Sequence, residues 1–195
     1  MDKKLSSLDR FKSNMTILLE IISEMFQEGY DNNVVGENFG LFSVIKILIT
    51  NSSSEKMINN FIKKTHLHWD KLNEKDLEYF KTIGLDLFNV VQNKGINHFE
   101  ESEGIGFLDQ IKSTHLESFK TILESSYKLD GEDVEIFDDE KRDDVWKIIH
   151  SFVRISIVYI HEKRDFKEGK YSNEFYPEIK IKENIQKWNI KSISF

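Results

Sequence analysis

Apolar residues recur at three- and four-residue steps near the start of the chain, at Leu8, Phe11, Met15, Leu18, Leu19, Ile22, Met25 and Phe26. That period is the mark of an amphipathic helix. Ser6 with Asp9 three residues on reads as its capping start, and Gly29 as its stop. After a polar turn around Gly36, residues 39–49 form an apolar run without strict alternation, which favours a buried helix over a strand. Asn51-Ser52-Ser53-Ser54 supplies a cap, with Glu55 three residues after Ser52, and Met57, Ile58, Phe61 and Ile62 continue as a stripe. Asn73 is expected to open a longer helix through Leu77, Phe80, Ile83, Leu87 and Val91, stopped at Asn93-Lys94-Gly95. Shorter helices are expected at 105–111 and after Thr114, where Leu116, Phe119, Ile122 and Leu123 share a face.

The most apolar helix is expected late, with Val145, Trp146, Ile149, Phe152, Val153, Ser156, Ile157 and Ile160, and it belongs at the centre of the fold. Carboxylates before it and His161, Lys163 and Arg164 at its end both suit the helix dipole. Beyond Arg164 the pattern weakens: Pro177 opens a helix to about Trp188, and Ile190 to Phe195 alternates like a short strand. The expected architecture is therefore all-α, one multi-helix bundle of about six to eight helices over residues 1–164. Residues 165–195 form a less regular C-terminal extension, packed on the bundle or on a partner.

Composition narrows the chemistry. At 195 residues the length suits one domain. Cysteine is absent, which removes disulfides, thiolate metal sites and a cysteine nucleophile. No window reaches the roughly 18 apolar residues of a membrane span. The charged N-terminus lacks the apolar stretch of a secretory leader, so an intracellular protein is expected. A net charge of -7, with 23 lysines against 4 arginines, disfavours nucleic acid, whose recognition needs a basic surface and arginine forks.

Two stretches together resemble a known group. Asn73-Glu74-Lys75-Asp76-Leu77-Glu78-Tyr79-Phe80 is a charged helix start opening onto aromatics, and Asp144-Val145-Trp146-Lys147-Ile148-Ile149-His150-Ser151-Phe152 heads a late apolar helix with tryptophan. This is similar to small α-helical proteins of unknown function encoded by nucleocytoplasmic large DNA viruses, the giant viruses. Their late helix begins Trp-Lys-Tyr-Leu, where this chain has Ile148 and Ile149. An abundance of isoleucine, lysine and asparagine with no alanine fits an AT-rich genome. The resemblance implies a viral protein of the host cytoplasm or nucleus, or of the virion, and it names no activity.

Candidate sites are few. His66 and His68 are two residues apart and could share a metal on an extended segment, though a helix connector explains them as well. His150 and His161 lie eleven apart, about 16 Å along one helix, too far for one ion. His150 follows Trp146 by one helical turn, so the two rings are expected to stack. Residues 130–144 hold nine carboxylates. Read as a calcium loop from Asp130 they place Val134, Glu135 and Lys141 at positions that need an oxygen ligand, glycine and glutamate. The run therefore reads as a solvated loop and helix start, or as a docking surface for a basic partner. Nucleotide-binding glycine loops and a nucleophile elbow are missing from the sequence.

These observations lead to a non-catalytic helical protein–protein interaction protein, a virion component or a host-modulating factor. The expected interaction residues are Asp138, Asp139, Glu140, Asp143 and Asp144, with the tail aromatics Tyr171, Phe175, Tyr176, Trp188 and Phe195. A protein partner is expected; nucleic acid and cofactors are not. The alternative is an enzyme or metal-binding protein with a site assembled from His66, His68, His150 and carboxylates.

Overall fold

The computed structural model describes residues 6–36, 50–76, 118, 121–163 and 179–191. Among these, 73% are helical, in five helices, and a two-stranded sheet accompanies them. The helices are α1 (Ser7–Asp31), α2 (Ser54–Thr65), α3 (Trp69–Asn73), α4 (Asp139–Lys163) and α5 (Ile181–Lys187); the strands are β1 (Ser126–Leu129) and β2 (Glu132–Glu135). The fold is thus mostly helical but not all-α. Part of the expected count of six to eight helices, including the runs at 39–49, 77–92 and 105–111, falls outside the described residues.

The chain forms two compact units. The first takes residues 1–15, 52–75 and 146–195. Its core comes from the start of α1, from α2 and α3, from most of α4, and from Ile179, Ile185 and Trp188. The rings of Phe11, Phe61 and Phe152 form a triangle, with centroids 5.5, 4.7 and 5.4 Å apart. α4 alone gives the core eight buried residues, from Trp146 to Ile160. Among the described helices, α4 carries the most buried residues, in line with the central helix expected from its apolar stripe. The second unit takes residues 16–51 and 76–145. Its described core is Leu19, Met25, Phe26, Ile122 and Ile136, flanked by half-buried Ile21, Ile22, Val34, Val35 and Leu123.

Local chemistry sets the element ends. The Ser6 hydroxyl accepts from the Asp9 N–H at 3.1 Å and donates to its carboxylate at 2.7 Å, a reciprocal cap as expected. The expected stop at Gly29 is displaced. α1 runs on to Asp31, and Asn33 takes φ 59°, the left-handed turn that ends a helix. Gly29 is instead a packing position, since a Cβ there would run into Ile122 Cδ1. The cap of α2 is Ser53 rather than Ser52: its hydroxyl accepts from the Lys56 N–H at 3.1 Å. Asn73 closes α3 instead of opening a helix, and Lys75 follows at φ 55°. The late helix at Pro177–Trp188 is shorter than expected, covering only Ile181–Lys187 among the described residues.

Candidate functional site: the acidic hairpin and the start of helix 4

The run at 130–144 is organised where the sequence reading expects a loop. Ser126 pairs with Glu135, Tyr127 with Val134, Lys128 with Asp133 and Leu129 with Glu132, leaving Asp130-Gly131 as a two-residue turn. Both turn residues have positive φ, 52° and 91°, the type I′ geometry that matches strand twist and selects Asp-Gly. The Ile136 N–H donates to the Ser125 carbonyl at 3.1 Å and extends the ladder by one rung. This signal is in the sequence. Tyr127, Leu129, Val134 and Ile136 alternate on either side of Asp-Gly.

An isolated hairpin of this size is marginal in water, and three anchors hold this one. Ile136 is fully buried. The Tyr127 hydroxyl donates to Glu28 Oε1 at 3.0 Å, while Lys141 Nζ meets Glu28 Oε2 at 2.9 Å, so one carboxylate of α1 holds both the hairpin and α4. Arg142 donates to the Phe137 carbonyl at 3.1 Å and to Asp139 at 2.7 Å, lies 3.6 Å from Glu135, and covers the Phe137 ring at 5.5 Å.

The charges are tuned accordingly. The Lys141 backbone N–H donates to Asp138 Oδ1 at 2.8 Å, a helix cap that holds the Asp138 carboxyl below its usual pKa; burial opposes it and the Lys141 charge adds to it. Burial works against the Lys141 ammonium, but Glu28 and then Asp138 outweigh it and raise its pKa. Donation to Glu28, with desolvation second, raises the Tyr127 phenol.

Of the expected interaction residues, Asp139, Glu140 and Asp143 are exposed, and Asp138 and Asp144 are half-buried. Asp130, Glu132, Asp133 and Glu135 on the hairpin are exposed as well and join them in the same unit. Trp188 is corrected: at 1% exposure it is a core residue of the first unit, closed to any partner. Tyr171, Phe175, Tyr176 and Phe195 lie outside the described residues.

His66 and His150 both hydrogen-bond to backbone carbonyls. His66–His68 form a single 3₁₀ turn between α2 and α3, and His66 Nδ1 lies 3.0 Å from the Ile62 carbonyl. His150 Nε2 bonds the Leu72 carbonyl at 2.7 Å. Its ring meets Trp146 edge-on, at 6.1 Å and 62°, instead of stacking on it. No group of three histidine, aspartate or glutamate side chains is placed to hold a metal among the described residues. No helix of the described residues is long and apolar enough to cross a membrane.

Compared with known protein families, with curated proteins and with solved structures, the chain matches none.

Proposed function

We propose that this chain is a non-catalytic protein–protein interaction protein that presents an acidic surface, the β1–β2 hairpin with the first turn of α4, to a basic partner. The observation that carries the reading is the hairpin's exposure. Six of its eight strand residues are exposed, and only Tyr127 and Val134 are half-buried. A segment that contributes so little to the core, yet is pinned by Glu28, Lys141 and Arg142, is a held display of charge. Salt-dependent attraction to a basic surface follows from that arrangement. The likeness to giant-virus helical proteins and the AT-rich composition support a viral origin, and with it a virion component or a modulator of a host protein.

The test is to express the tagged chain in its native cell and identify what co-purifies. A stoichiometric partner with a basic surface is expected, lost in a Glu132→Lys, Glu140→Lys double variant whose circular dichroism is unchanged. The reading is wrong if the double variant keeps that partner, or if no protein co-purifies in stoichiometric amount.

A further inference from the structure

In the first unit, α5 is a short element that depends on its tertiary contacts. It has seven residues and no side-chain cap hydrogen bond, too short to persist without tertiary contacts. Buried Ile185, Trp188 just past its end and the Lys187–Asp70 ion pair help to hold it. The Trp188 seat is itself imperfect: its indole N–H is buried without a hydrogen-bond partner among the described residues. His150 is part of that seat. Its ring stands edge-on to Trp188, with centroids 5.3 Å apart at 86°, while its Nε2 bonds the Leu72 carbonyl near the end of α3.

A carbonyl only accepts, so Nε2 carries the proton and Nδ1 is the atom left to titrate. Among the described residues, the charges that bear on the ring are Lys75 after α3 and Arg154 one turn along α4, both positive. Lys187 of α5 is a third cation on this assembly, and it is held by Asp70; Glu74 is held by Lys71. An imidazolium formed here meets repulsion from Lys75 and Arg154.

We propose that His150 is a pH-sensitive latch for α5, seating Trp188 when neutral and loosening that seat when protonated. Desolvation, with Lys75 and Arg154 and against the Leu72 hydrogen bond, lowers its pKa from the ordinary 6.5. A histidine with a depressed folded pKa binds fewer protons folded than unfolded. Docking is therefore fully supported above 6.5 and weakens as the pH falls through it. The bond to Leu72 persists in both forms; the charge is what changes.

Hydrogen exchange of the full chain at about pH 7.5 and about pH 5.5, corrected for intrinsic rates, reads the latch directly. Amides of α5 should lose protection at the lower pH while those of α4 from Phe152 to Ile160 keep it. His150→Gln keeps a side-chain donor and cannot be charged, so its α5 should be equally protected at both. The proposal is overturned if the Gln variant shows the same acid loss, or if wild-type α5 is unchanged between the two. Should that variant not fold, NMR titration of His150 in the wild-type chain decides: a pKa below 6.5 supports the latch. A value at or above it means that the two indoles favour the cation, and ends the proposal.

Discussion

At the scale of single residues, Gly29 separates propensity from packing. In a helix, Gly→Ala gains about 1 kcal/mol of intrinsic stability. Here the added methyl would run into Ile122 Cδ1, press on Val35 Cγ2 at 3.2 Å and touch Ile136 Cδ1 at 3.5 Å, and Ile122 and Ile136 are wholly buried. Overpacking of that kind costs about 1–3 kcal/mol, so packing wins. Gly29→Ala should lower stability by about 1 kcal/mol in urea titration, the reverse of what an exposed helical glycine would give. Asp138 makes a second case. Asp138→Ala should cost about 1 kcal/mol through the lost cap. Because its folded pKa is depressed, this contribution is present above the ordinary carboxyl value of 3.8 and is lost as the pH falls through the lower folded value. The difference between wild type and variant should therefore shrink in strong acid. Tyr159 gives the alkaline counterpart. Burial, then its hydrogen bond to Glu55 at 3.1 Å, raises its phenol to about 12. Stability from this group is complete below 10 and falls as the pH rises toward 12. Tyr159→Phe should remove one late-ionising phenol from the ultraviolet titration.

At the scale of elements, what could be read from the chain depended on which signal was local. The cap at Ser6, the buried stripe of α4 and the Ile58–Ile62 face of α2 follow from spacing alone, and all three are as read. The hairpin was equally legible, through Asp130-Gly131 and the alternation around it. The nine carboxylates of 130–144 obscure it, because charge density suggests solvation and says nothing of backbone pairing. The end of α1 is different in kind. A glycine at 29 and an asparagine at 33 are both plausible stops, and the choice rests on Ile122 and Ile136, which are far along the chain. The anchors of the candidate surface share that property: Glu28 is 99 residues from Tyr127 and 113 from Lys141. The turn itself can be tested. Gly131 sits at φ 91° with nothing within 4 Å of a Cβ, so Gly131→Val would suffer from backbone strain and not from collision. A β-branched residue there should cost about 1–2 kcal/mol and weaken the 126–135 pairing in NMR. Because the penalty is confined to the hairpin, the core resonances of Phe11, Phe61 and Phe152 in the other unit should not move.

At the scale of the whole molecule, the C-terminal residues decide whether the chain has a removable tail. Treating 165–195 as an extension implies that the rest folds without it. Yet Ile179, Ile185 and Trp188 are 7%, 5% and 1% exposed and belong to the first unit, with residues 1–15 and 52–75. Fully burying one large apolar side chain contributes about 1.5–3 kcal/mol, and three of them approach the 5–15 kcal/mol by which a whole domain is stable. Against this stands the unpaired Trp188 indole N–H, which costs about 1–3 kcal/mol and does not cancel the total. A chain ending at residue 178 should therefore unfold at markedly lower urea than the full chain. Its loss should be greatest in the signals of Trp69 and Trp146, which lie in the same unit. Trp188→Ala should account for about 3–5 kcal/mol of that loss by itself. If instead the shortened chain unfolds at the same denaturant concentration with unchanged tryptophan emission, burial at these three positions contributes little. The segment would then be an appendage in the sense its weak periodicity suggests. The two outcomes differ by several kcal/mol, far outside the error of an unfolding curve.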